Sequence, residues 1–183
     1  MRRERVYRVA HRRRREARTN YRQRLRLLRS GKPRFVARKS LNNFVCQVIA
    51  YGSGGDKTLA TAYSNDIKKM GWKGHCGNLP AAYLTGLLCG VRAKKNKVNE
   101  AVMDAGLHPS TGGSALYAAL KGAVDAGMRI PYSEDALPPV ERISGKHISE
   151  YRKDGSLTKN FEETKSRILS GKTATKNVSP KKS

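Results

Sequence analysis

Nine arginines stand between residues 12 and 29 against one acid, Glu16, so this stretch cannot bury itself as a packed core. Thirteen arginines and no lysine lie in the first 29 residues, and the first 40 carry a net +15 of the chain's +24. Residues 41–135 are near neutral at +3, and residues 136–183 carry +6. The charge is therefore local: a cationic arm on a near-neutral body, the pattern of a polyanion grip. Arginine suits phosphate and stacked bases in particular. Its planar fork donates two parallel bonds and also lies flat on aromatic faces.

Residues 1–11 read as extended or disordered. The spacing then predicts one helix from Arg12 to Ser30, closed by Gly31 with Pro33 following. On that helix Arg15, Arg18, Arg22, Arg26 and Arg29 share a stripe, and Ala17, Tyr21, Leu25 and Leu28 share the adjacent one. Such a helix would dock on protein with one face and on phosphates with the other. A purely solvated face is disfavoured, because so many like charges repel along a helix that lacks counter-charge. Arg12, Arg13, Arg14 and Tyr21 join the stripe as candidate RNA contacts.

Beyond the arm the pattern changes. Arg34–Lys39, Phe44–Tyr51 and Lys57–Ser64 are rich in β-branched and aromatic residues and are separated by two turn-like loops, which predicts an antiparallel meander. The period then becomes helical. A short helix is expected from the cap Ser64, and a longer one from Asn78 with Pro80 in its first turn. Ala101–Leu107 reads as a buried strand, Ser110-Thr111-Gly112-Gly113 leads into a helix ending near Ala126, and Met128–Tyr132 reads as a last strand. This order implies an α/β fold with helices on a mixed sheet. Further on, Glu141–Tyr151 reads as a turn or short helix and Asn160–Ser170 as a helix. The expected organisation is an arm at 1–33, an α/β body at 34–132, an extension at 133–171 and a disordered basic tail at 172–183.

Several chemistries are disfavoured. Cys46, Cys76 and Cys89 form neither a disulfide framework nor a zinc motif, so reduced thiols and no metal are expected. No apolar run is long enough to span a bilayer, and the arm's single threonine argues against a transit peptide. The run Gly52-Ser53-Gly54-Gly55-Asp56-Lys57-Thr58 fails the spacing of a phosphate-binding loop and joins two strands. Gly112 and Gly113 could offer free N–H groups to a phosphate at a helix start, with a plain cap as the simpler alternative. Nucleases need clustered carboxylates, whereas Asp66, Asp104, Asp125, Glu134 and Asp135 are scattered. No enzyme and no cofactor are expected.

The turn after the first strand is a better candidate. Arg38, Lys39, Ser40, Asn42 and Asn43 place two cations, a hydroxyl and two amides at one hairpin tip, groups that suit phosphate, 2′-OH and base edges. A turn in which asparagine merely supplies backbone geometry is the competing account. From residues alone, a free-standing RNA-binding regulator or chaperone and a DNA-binding chromatin protein both stay open as readings of the arm. No helix-turn-helix, zinc or basic-zipper pattern supports DNA.

Longer stretches carry a resemblance. The arginine-rich helix, Pro33 through Asn43, Gln47-Val48-Ile49, and Lys57 through Ala62 together resemble the large-subunit ribosomal protein eighteen family, whose eukaryotic members are numbered five. Trp72 through Leu88 and Arg142 through Ile148 resemble its archaeal form. The likeness runs over roughly residues 5–170. It implies a ribonuclease-H-like sandwich, helices on both faces of the sheet, without the nuclease carboxylates. It also implies 5S rRNA binding and attachment of that RNA to 23S rRNA in the central protuberance, beside ribosomal protein five of the large subunit. Membrane and DNA are not among the implied partners, and the location implied is the cytoplasmic large ribosomal subunit.

Overall fold

A computed structural model describes residues 8–153 and 155–171. Strands β1 (Arg34–Lys39), β2 (Phe44–Ala50) and β3 (Lys57–Tyr63) form the expected meander, and β4 (Val102–Asp104) adds to the free edge of β1. The order is β3-β2-β1-β4, antiparallel except for the parallel β1–β4 pair, so the sheet is mixed. Register fixes the two faces. Phe35 pairs with Val48 and Ala37 with Cys46, while Cys46 faces Ala62 and Val48 faces Ala60, so these side chains share the core face. Arg34, Val36, Arg38 and Asp104 share the other.

Helices α3 (Ser64–Lys69), α4 (Leu79–Lys95) and α5 (Ala115–Asp125) follow in the body. Asn78 caps α4 by accepting the Ala81 N–H, and Pro80 sits in its first turn as the sequence predicts. This helix is buried on nearly every side, because it packs between the strands and a second helical layer. It lies on β2 and β3, and α5 lies beside it on β1. Beyond them, α6 (Val140–Ser144), α7 (Lys146–Arg152) and α8 (Ser156–Ser170) form the C-terminal group. α8 buries Phe161, Thr164 and Ile168 and packs on α4. Phe161 meets the Tyr83 ring at 5.5 Å. On the opposite sheet face the short helix α2 (Tyr21–Leu28) is tied down through Arg24. The fold is α/β, as expected.

The seam between α4 and α5 depends on missing side chains. A Cβ at Gly86 would stand 2.0 Å from the Ala119 carbonyl oxygen, and one at Gly122 would stand 2.2 Å from the Tyr83 carbonyl oxygen. Both obstacles are helix backbone, which cannot swing aside. Gly86→Ala is therefore expected to destabilise the body by at least about 1–3 kcal/mol, the usual overpacking cost, despite alanine's better helix propensity. Urea unfolding would measure it; an unchanged midpoint would contradict this close packing.

Four expectations are corrected. The single helix over 12–30 is two: α1 (Arg12–Arg15) and α2, broken where Ala17 adopts φ +50°. Asn20 competes for the backbone by capping α2 through Gln23 N–H, and Thr19 accepts from Arg13 Nε at 2.8 Å. Ser64 does not cap α3. Tyr63 holds the cap position, and the buried Ser64 hydroxyl accepts Phe44 N–H at 3.0 Å. The strand expected over 101–107 spans only Val102–Asp104, because Asp104 Oδ1 accepts Gly106 N–H and turns the chain. The last strand expected at 128–132 is an isolated bridge, Glu100 with Arg129, and Pro131 has no N–H to extend it. Among smaller differences, α8 begins at Ser156 and the 141–151 segment is split into α6 and α7 at Gly145. The extended reading of residues 1–7 and the disordered tail at 172–183 lie outside the described residues.

Candidate nucleic-acid interface

Arg12, Arg13, Arg14, Arg15, Arg18, Arg22, Arg26 and Arg29 are all exposed. Among the described residues Glu16 is the acid that pairs with the arm around α1, with Arg12 at 3.8 Å and Arg18 at 3.4 Å, and such exposed pairs contribute little. The arm thus presents a dense field of guanidinium groups that protein carboxylates do not neutralise. The break at Ala17 means that these groups do not form one continuous stripe. The predicted apolar stripe is not the docking face either: Leu25 is 56% exposed, and no residue of α2 is buried. What turns α2 toward the sheet is Arg24, whose Nη2 donates to Asp56 Oδ1 at 2.9 Å and Oδ2 at 2.8 Å.

That contact opens onto a buried ionic chain. Arg34, only 4% exposed, donates from Nη2 to Asp56 Oδ2 at 2.7 Å and from Nη1 to Asp104 Oδ2 at 2.8 Å. Arg38 lies along the same edge, donating to the Ala37 and Asp104 carbonyls at 2.9 and 3.1 Å. Both carboxylates are thereby saturated by cations. Sequence reasoning missed Arg24, Arg34, Asp56 and Asp104. Arg24 falls off the helical stripe, and only the strand register brings the other three together. The one available signal was Asp56 standing as a lone acid in a glycine-rich loop.

The hairpin tip is organised by its own side chains. Ser40 Oγ accepts Asn43 N–H and donates to the Asn43 carbonyl, both at 3.0 Å. Asn43 Oδ1 accepts from Ser64 Oγ at 3.5 Å. Gly77 N–H donates to His75 Nδ1 at 3.0 Å, so a neutral His75 carries its proton on Nε2, which faces Asn42 Oδ1 at 3.4 Å. Lys39, Ser40, Leu41, Asn42 and Asn43 remain exposed, with Leu41 at 91%. The turn places Arg38 and Lys39 at the end of the strand that carries Arg34.

Elsewhere the titratable groups are structural. Burial pushes the Asp66 carboxyl up, but the hydrogen bonds and charges of Arg92, the Tyr63 N–H and Lys69 together hold it below the usual range. Burial raises the Cys46 thiol and carries that of Cys89 up to about 12, so neither is a nucleophile at neutral pH. Tyr83 donates to Asp125 at 2.8 Å, and burial together with that carboxylate raises its phenol. At the predicted glycine site, Gly113 N–H donates to the Ala136 carbonyl, so it is not open to a phosphate. Among the described residues no group of three or more His, Cys, Asp or Glu could hold a metal, and no helix is long and apolar enough to cross a membrane.

Comparison with known proteins adds to this geometry. The family described as "Ribosomal large subunit proteins 60S L5, and 50S L18" matches residues 5–101 and 92–133. The Large ribosomal subunit protein uL18 of Methanococcus maripaludis is 58% identical over 145 residues, 79% of this chain and 75% of that protein.

Proposed function

The chain belongs to the family of ribosomal large subunit proteins 60S L5 and 50S L18, and from that premise we propose that it binds 5S rRNA and helps attach it to 23S rRNA in the central protuberance, next to ribosomal protein five. Membership makes it a structural constituent of the large ribosomal subunit, hence of the cytoplasmic ribosome, and not an enzyme. The observation that carries the finer reading is the exposed arginine field of α1 and α2, which among the described residues has few carboxylates to neutralise it. Structured RNA supplies the missing counter-charge as phosphates, and each contact releases condensed counterions.

Roles divide by residue. The arginines at 12–15, 18, 22, 26 and 29 clamp phosphates of the RNA backbone. Tyr21 offers a ring beside them. Arg38 and Lys39 extend the contact along the sheet edge, while Ser40, Asn42 and Asn43 hold the tip in a fixed shape whose outward groups meet sugar and base edges. Sedimentation tests the reading against a free-standing regulator. The native protein should travel with the large subunit and stay there through a wash at moderate salt. Recovery only in the soluble fraction, with 5S rRNA absent, would refute the assignment.

A further inference from the structure

Between the arm and the sheet lies a concavity of about 540 Å³, lined by both. That volume falls among small-ligand sites, which span roughly 300–1,000 Å³. Its walls hold five arginines, 13, 18, 24, 34 and 38, against two carboxylates, Asp56 and Asp104, leaving three cations in excess. The carboxylates are already bound by Arg24 and Arg34, so they do not repel an entering anion strongly. Arg34 is 4% exposed and its Nε, fully enclosed, has no hydrogen-bond partner. Tyr21 and Leu107 supply apolar surface, and Gln23 an amide that can both donate and accept. A bare phosphate needs neither an aromatic ring nor this volume. A duplex cannot enter it. One unstacked base with its sugar and phosphate matches both the size and the mixture of groups.

We propose that this cleft holds a single unstacked nucleotide of the bound RNA, with the base against Tyr21 and Gln23 and the phosphate between Arg18 and Arg38. The inference rests on the RNA-binding reading above and adds a base-recognising element to an arm that otherwise reads only charge. Among the described residues Arg18 is held by its exposed contact with Glu16, so its head is available for exchange onto a phosphate. The Arg24–Asp56–Arg34 chain keeps α2, and with it Tyr21, at a fixed height above the sheet.

Titration of 5S rRNA with the full chain, Tyr21→Ala and Tyr21→Phe over a series of salt concentrations tests this. Stacking on one aromatic ring changes affinity by about 5- to 150-fold per base. Tyr21→Ala should lose about that much with an unchanged salt slope, and Tyr21→Phe should bind like the unaltered protein. Zero-length ultraviolet crosslinking of the unaltered complex should join one unpaired nucleotide to a cleft-lining residue. Wild-type affinity in Tyr21→Ala, or crosslinks confined to the outer arginines, would overturn the cleft while leaving the charge-based RNA reading intact. Tight occupation of the cleft by free adenosine or uridine monophosphate at micromolar concentration without RNA would also overturn it, by making the ligand a free nucleotide. Failure of the unaltered chain to bind 5S rRNA at all would instead refute the reading on which the inference rests.

Discussion

Deleting residues 1–30 should abolish high-affinity RNA binding and leave a folded body. The deletion removes thirteen arginines, yet α1 and α2 bury no residue and contribute nothing to the core. Proteins making 6–10 phosphate contacts change affinity by roughly 10³–10⁵ when the electrostatic term is weakened by salt alone, so removing the contacts should cost at least about a thousandfold. Among the described residues the sheet and its loops lose the Arg24 bonds to Asp56, and Arg34 still occupies that carboxylate. Thermal unfolding should remain a single cooperative transition close to that of the full chain. A truncated protein that no longer melts cooperatively would make the arm a structural part of the body.

Asp104→Ala should be the most damaging single change among the charged residues of the body. It leaves the Arg34 guanidinium, buried at 4% exposure, with one carboxylate in place of two, and it strips Gly106 N–H of its acceptor. Breaking a buried pair by removing one partner costs about 3–5 kcal/mol, since the remaining charge stays desolvated. For a domain of this size that corresponds to a fall in Tm of roughly 6–20 °C. Asp104→Asn keeps one acceptor oxygen, which serves either Arg34 or Gly106 N–H but not both, and should lose less than the alanine variant. A drop below about 2 °C for the alanine variant, by the same scaling, would mean that Arg34 is adequately solvated without Asp104.

These two predictions separate what the sequence makes legible from what it hides. The three meander strands could be placed nearly to the residue, because alternation, β-branched side chains and glycine- or asparagine-rich turns all agree there. Likewise, Asn78 and Pro80 announced the start of α4. The arm was harder, since helical periodicity alone cannot register that Asn20 takes the backbone N–H of Gln23 and restarts the helix. Its exposed arginines were visible from charge density. Arg24 lies off the stripe, and its partner Asp56 is 32 residues away, so nothing in local periodicity marks it. Arg34 and Asp104 are 70 residues apart and meet only because β4 pairs in parallel with β1, a neighbour relation that local pattern does not encode. Ser40 and Asn43 belonged where they were expected, at an exposed turn, but much of their hydrogen-bonding capacity is committed to shaping that turn.

If the arm grips RNA through its phosphates, as proposed, salt should weaken binding steeply. Seventeen basic groups lie in the first 40 residues. If about eight of them neutralise phosphates, log K plotted against log salt should fall with a slope near −6 to −7, each contact contributing about −0.7 to −0.9. The decisive measurement is that slope for the full chain on isolated 5S rRNA. A value near −6 to −7 is the predicted result, and a slope shallower than about −2 would contradict the mechanism, because so few displaced counterions cannot represent an arginine arm engaged with a phosphate backbone.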